Sequence, residues 1–206
     1  MGEKVYFAGE LFDHKHLIGN RLLADGIRMA AGDRYEPVLP QETEPPEIRA
    51  LAIRNHDFRL LFECRAAVFN FDGTDLDSGT VVEFVTAKML DLPAVILRSD
   101  FRHSGDQEEG GDPWNLMCSG YPRTASLSIN AMTLYQRHGA KTTASSNLIA
   151  GIYGELGTAV VRELDRVMAL PPLHTPEERE RIYRWVAASL GGNLLPLREI
   201  TGRRRP

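Results

Sequence analysis

The chain has 206 residues, 43% of them hydrophobic and 25% charged, with a formal net charge of -4. Those values describe one globular domain of ordinary size, leave little room for a second full domain, and argue against general affinity for nucleic acid or anionic membrane. No stretch approaches the roughly 20 apolar residues needed to cross a bilayer, and "MGEKVYFAGELF" lacks the plan of a secretory signal, so a cytoplasmic protein with a small-molecule partner is expected. Gly2 is not followed by the Ser or Thr of a myristoylation motif. Cys64 and Cys118 have no Cys or His at metal-ligand spacing, which reads as two buried free thiols.

In chain order, "KVYFAG" at 4–9 is a short apolar run closed by Gly9, a first buried strand opening into the loop "ELFDHKH". Residues 15–31 place Leu17, Ile18, Leu22, Leu23, Ile27 and Met29 near helical spacing, and "RYEPVLP" reads as a second strand before the proline-rich "QETEPPE". From Glu47 to Glu63, Ile48, Leu51, Ala52, Phe58, Leu61 and Phe62 recur at three and four, which predicts a helix interrupted, and bent, at the polar "RNHD". "AAVFNF" is continuously apolar, as strands covered on both faces tend to be, and a helix over 79–90 separates it from a fourth strand, "PAVILRS". Residues 100–115 read as a long loop, either a lid or mobile.

Beyond Ser145, Leu148, Ile152, Leu156, Val160, Leu164, Val167 and Met168 form a helical stripe despite internal glycines. "TPEE" at 175–178 supplies an N-cap, a first-turn proline and a capping-box Glu178 for a second C-terminal helix carrying Ile182, Trp185 and Leu190. The closing "GRRRP" reads as a solvated basic tail. The alternation of strands and helices predicts an α/β fold. It is a doubly wound, flavodoxin-like or Rossmann-like sheet, mostly parallel, with helices on both faces and a ligand crevice at the strands' carboxyl ends. The expected division is a catalytic α/β unit over 1–144 and a helical extension over 145–206, packed on the same domain or on a neighbouring subunit.

"FDGTDLDSGTVVEFVTAKM", residues 71–89, collects Asp72, Asp75, Asp77 and Glu83 around one strand–helix junction. Thr80 and Glu83 fit the spacing of a capping box, and Asp72 and Asp75 are good turn formers. The alternative is chemical: a carboxylate at the N-terminus of a helix, beside the crevice, stays ionised and can attack an electrophilic sugar carbon.

"VYFAGELF" at 5–12, "VFNFDGTDLDSGTVVE" at 68–83 and "NLM" at 115–117 together resemble the nucleoside 2-deoxyribosyltransferase family, over roughly residues 4–118. The resemblance implies that Glu83 is the nucleophile forming a covalent 2-deoxyribosyl intermediate. It implies that Asp57 exchanges a proton with the departing and incoming bases, that Asp77 holds the sugar 5'-hydroxyl and that Tyr6 orients the nucleophile. Asn115 is then donated to the site of a neighbouring subunit in a homo-oligomer. Each residue also has a structural reading: Tyr6 as a core aromatic, Asp57 as a solvated helix acid, Asn115 as a turn residue. Many relatives carry glycine where this chain has Val85 and an aromatic near the Val81-Val82 pair, which bears on helix packing and base preference.

The resemblance implies a deoxynucleoside and a free nucleobase as partners. With no metal cluster and no glycine-rich phosphate loop, no cofactor is expected. A related alternative is an N-glycosidase of 2'-deoxynucleoside 5'-monophosphates, in which water replaces the second base. Such a site wants Arg, Lys, Ser or bare backbone amides near the first loop and before residue 83, whereas Glu10, Asp13, Asp75 and Asp77 hold those places; like charges about 4 Å apart cost roughly 4 kcal/mol at a partly shielded surface. Ser78, Arg98 and Arg102 are the residues that could still reach a phosphate. A third alternative is a non-catalytic nucleoside-binding module.

Overall fold

The computed structural model describes residues 2–43, 49–102, 106–191 and 194. Five strands, β1 (Glu3–Ala8), β2 (Tyr35–Val38), β3 (Ala66–Asn70), β4 (Ala94–Arg98) and β5 (Thr124–Ser128), form one sheet in the order β2-β1-β3-β4-β5. Every pairing is parallel, with Tyr6 opposite Ala67, Val68 opposite Val95 and Val95 opposite Ala125. Among the described residues six α-helices accompany it: α1 (His14–Ala31), α2 (Ala50–Glu63), α3 (Ser78–Met89), α4 (Ala131–Gly139), α5 (Ser145–Met168) and α6 (Pro176–Leu190).

Side chains alternate across a strand, so each strand feeds two cores. Tyr6, Ala8, Ala67, Phe69, Ala94 and Ile96 pack with Phe58 and Phe62 of α2, Phe84 of α3 and Tyr183 and Val186 of α6. Val5, Phe7, Val68, Val95, Leu97 and Ala125 pack on the opposite face with Leu23 and Ile27 of α1 and Val160 and Leu164 of α5. Pro37 sits in β2, at one edge of the sheet, where a missing backbone N–H costs little.

Several expectations are corrected. The fifth strand and α4 lie in residues 119–144, to which the sequence reading assigned no element. "TASLS" is short and only its Ala125 and Leu127 are buried, so its period-2 signal is weak. Met29 is 81% and Ile18 57% exposed, and α1 instead buries Asn20, Leu23, Ala24, Ile27 and Ala31. The predicted α2 start at Glu47 and the basic tail lie outside the described residues; α2 is assigned as one helix from Ala50 through the polar "RNHD" to Glu63. The cap of α3 is Asp77, whose carboxylate accepts from the Thr80 amide at 2.7 Å, rather than Thr80. By contrast Thr175 and Glu178 do form a capping box at α6.

Gly157 of α5 and Gly26 of α1 have a packing reason. A Cβ on Gly157 would lie 2.3 Å from the backbone of Gly26, and one on Gly26 would lie 2.2 Å from the Tyr153 carbonyl oxygen, so α1 and α5 cross almost backbone to backbone. Neither contact can be relieved by turning a side chain. Gly157→Ala should therefore destabilise the fold by about 1 to 3 kcal/mol through overpacking, whereas Gly154→Ala, with open space around it, should be neutral or stabilising through helix propensity. Urea denaturation of the two variants checks this.

Candidate active site

Strand order reverses direction around β1 and β3, the switch point at which open α/β sheets bind ligands. A cleft of about 790 Å³ opens there. Its floor is Phe7, Ala8 and Gly9 at the end of β1; one wall comes from Leu11, Phe12 and Asn20, with Leu39, Pro40 and Gln41 following β2. The other wall is Ala50, Ile53, Arg54, Asp57 and Phe58 of α2, Asp77 to Thr80, Val82 and Glu83 around α3, and Leu190 at the end of α6.

The acidic turn divides its labour. Asp72 points away from the cleft: its carboxylate accepts from the Ser99 amide at 2.5 Å, the Ser99 hydroxyl at 2.7 Å and the Asp100 amide at 2.8 Å, tying the end of β3 to the end of β4. Gly73, at φ +117°, makes the turn that side chains rarely adopt. Beneath it the buried guanidinium of Arg98 donates to the Phe71 and Gly73 carbonyls. Asp75 is exposed. Only Asp77 and Glu83 of the four acids reach the cleft.

Asp77 accepts both the Thr80 amide and the Thr80 hydroxyl, the latter at 2.8 Å, on Oδ2 alone. Glu83 accepts the Tyr6 hydroxyl on Oε1 at 2.6 Å. Among the described residues no donor reaches the second oxygen of either carboxylate, so each is anchored on one side and open on the other. Val82 is 52% exposed at the cleft surface, and Val85 packs into the core.

Glu83 stands in the second turn of α3, past the reach of the helix terminus. Burial pushes its carboxyl up to about 7, the Tyr6 hydroxyl partly opposes that, and the charges of Asp57 and Asp77 add to it. The expectation of a fully ionised group therefore does not hold: with its carboxyl raised to about 7, Glu83 is only partly ionised near neutrality. Tyr6 is held well above the ordinary tyrosine range by burial and then by the Glu83 charge, so it remains the donor. Burial also raises the carboxyl of Asp57, against the smaller opposing effect of His56.

The structure thus brings Tyr6, Asp57, Asp77 and Glu83 together. Asn115 it places elsewhere: exposed, outside the cleft lining, its side chain capping the turn Leu116–Cys118 by accepting from the Met117 amide at 2.9 Å. The 100–115 loop is anchored among its described residues by Trp114, buried against Phe71, and by Gln107, which donates to the Trp114 carbonyl and the Ser119 hydroxyl. Cys64 and Cys118 are free and buried. Among the described residues no group of His, Cys, Asp or Glu could hold a metal ion, and no helix is long and apolar enough to cross a membrane.

Asn20, Arg54 and Leu190 line the cleft without having been expected there, whereas Val82, of the pair tied to base preference, does line it. Asn20 had a visible signal, a polar residue within the apolar face of α1. It donates to the Glu10 carbonyl at 3.0 Å and is only 4% exposed. Leu190 had none, because only the placement of α6 brings it there.

Sheet order and cleft define an α/β protein with half-anchored carboxylates in a cleft at its switch point. The chain belongs to the nucleoside 2-deoxyribosyltransferase family, whose model matches residues 5–117. Among curated proteins none matches the sequence. A conserved protein from Enterococcus faecalis V583 shares the fold at 19% identity and a TM-score of 0.50, over 81% of this chain and 99% of its own. A 2-desoxiribosyltransferase from Leishmania mexicana aligns at 18% identity and a TM-score of 0.49, over 69% of this chain and 99% of its own. A 2-deoxyribosyltransferase from Bacillus psychrosaccharolyticus aligns at 14% and 0.47, over 70% and 95%.

Because the folded protein holds the Glu83 proton up to about 7 rather than the ordinary 4.5, its ionisation works against folding. This contribution to stability is fully present below pH 4.5 and is lost as pH rises through 7. Glu83→Gln keeps an oxygen for Tyr6 and removes the charge. The variant should be more stable than the parent by about 1 to 3 kcal/mol at pH 8, one pKa unit being worth about 1.4 kcal/mol, and the two should converge near pH 5. Thermal melts across that range check it.

Proposed function

We propose that this protein transfers a 2-deoxyribosyl group between nucleobases through a covalent intermediate on Glu83. The observation that carries the reading is the buried Tyr6–Glu83 pair, which fixes one carboxylate oxygen and leaves the other facing the cleft beside two further acids. Departure of the base builds positive charge on the sugar carbon, and a nearby carboxylate stabilises that charge and then bonds to the carbon. The base leaves more readily once protonated, which calls for an acid of raised pKa; Asp57 has it and faces the same cleft. Asp77, with Oδ2 occupied by Thr80, offers its other oxygen to a sugar hydroxyl. The second base then displaces the sugar from Glu83 and returns its proton to Asp57, so configuration is retained over two displacements.

Hydrolysis of 5'-monophosphates fits the cleft less well. Among the described lining residues Arg54 is the one cation, against Asp57, Asp77 and Glu83. Arg98 is spent on backbone carbonyls and Arg102 on Asp100, and neither lines the cleft.

Incubating the protein with deoxyadenosine and free hypoxanthine, then separating the products, tests the reading directly. Deoxyinosine and adenine are expected; adenine with free deoxyribose would mean a hydrolase, and unchanged nucleoside would mean a binding module. Asp57→Asn should lower turnover of deoxyadenosine by about 10² to 10⁴. It should affect 7-methyl-2'-deoxyguanosine far less, since that base already carries its charge and leaves neutral.

The acid limb of kcat/KM should fall near pH 7, where Glu83 loses its proton in the free protein. Tyr6→Phe removes the hydrogen bond that lowers the Glu83 pKa. Its limb should move to higher pH; a limb left in place would show that Tyr6 does not tune the nucleophile.

A further inference from the structure

We infer that the C-terminal end of α6 is the outer wall of the base subsite, with Leu190 a specificity-determining residue and Arg54 the positioning residue that holds it there. The inference rests on the reading of the cleft as a nucleoside site. It adds an element from beyond residues 5–117, the span matched by the family model.

Asp57, the proton donor to the base in that reading, shares its cleft-facing side of α2 with Ile53 and Arg54, one turn earlier. Whatever flanks those two residues also flanks the base. Leu190 lines the same cleft and is hydrogen-bonded to Arg54. The Arg54 guanidinium donates to the Leu190 carbonyl at 2.6 Å from Nη2, and donates to Asn55 from Nε at 3.2 Å. Its centre lies 5.6 Å above the Phe58 ring, so the arm is braced along α2. A helix C-terminus presents carbonyls without helical partners and a partial negative charge, and an arginine fork answers both.

The rest of α6 is built so that its end cannot wander. Leu173, just before the helix, donates its amide to the buried Asp91 at 2.9 Å, and the capping box closes the first turn. Tyr183 packs edge-on to Phe62 at 6.0 Å, and Val186 and Ala187 are buried in the same core. The helix therefore delivers Leu190 to the lining of the cleft that Val82 of α3 also lines, a partly apolar slot suited to the face or edge of a heterocycle. A larger base substituent must displace this wall, and a shorter side chain at 190 makes room for it.

The test compares acceptor bases that differ in bulk, adenine against 6-benzylaminopurine and thymine against 5-iodouracil, as ratios of kcat/KM. Leu190→Ala should raise the bulky-to-parent ratio by about tenfold, the scale set by a few methylenes in an apolar pocket. Leu190→Phe should lower it. Arg54→Met should move the ratio in the same direction as Leu190→Ala by releasing the helix end. Trp185→Ala, on the exposed side of the same helix, should leave the ratio where it is, so general damage to α6 is distinguished from loss of the wall. Ratios that stay at the parent value in all three cleft variants, or that move equally in Trp185→Ala, overturn the inference. If no base is transferred, the same ratios are read as Kd values by calorimetry with the free bases. A size-dependent shift there supports the wall while the transferase reading fails, and equal affinities sink both.

Discussion

The hydrogen bond from Tyr6 to Glu83 is the constraint around which the rest of the site is arranged. It joins the middle of the second strand in the sheet to the second turn of the helix that follows the third, at 2.6 Å, inside a core where an unpaired carboxylate would be costly. The donor cannot be lost by ionisation, because burial and the neighbouring charge hold the tyrosine proton on. The acceptor keeps one oxygen free. A carboxyl poised near neutrality, rather than deeply ionised, is the consequence of placing that group among other acids and away from water. In the proposed reaction, a sugar carbon developing positive charge beside Glu83 would offset part of that penalty.

Fixing that bond requires the surrounding turn to be rigid, and buried polar groups make it so. Asp72 clamps Ser99 and Asp100, Arg98 supports the carbonyls of Phe71 and Gly73 from below, and Asp77 starts α3 through Thr80. Asp100 is in turn held down to about 2, chiefly by its hydrogen bonds with Arg102. Acids at this junction therefore serve two purposes. Asp72, turned toward the sheet, is satisfied by amides and a hydroxyl, whereas Asp77 and Glu83 each leave one oxygen open toward the cleft.

Much of this was legible from the residues alone. Apolar runs at 66–69 and 93–97 are what strands covered on both faces require, and β3 and β4 are indeed buried between two helical layers. The parallel α/β architecture followed from the order of elements. β5 was not legible because an edge strand with only two buried side chains carries too little pattern. The cap of α3 differs from the expectation because Asp77 and Thr80 compete for the same role, and sequence spacing does not say which side chain wins. Tyr6, Asp57, Asp77 and Glu83 were singled out through a family resemblance rather than through spacing. Arg54 and Leu190 were missed because residues 136 positions apart become neighbours only when α6 docks.

The most direct measurement is intact-mass spectrometry of the protein quenched in acid during reaction with a slow 2'-fluorinated arabinosyl nucleoside, followed by peptide mapping. The expected result is one added glycosyl group, on the peptide spanning residues 71–89 and at Glu83, that disappears when free base is added before quenching. Product formation without an adduct, or an adduct on a different carboxylate, would contradict a covalent step at Glu83.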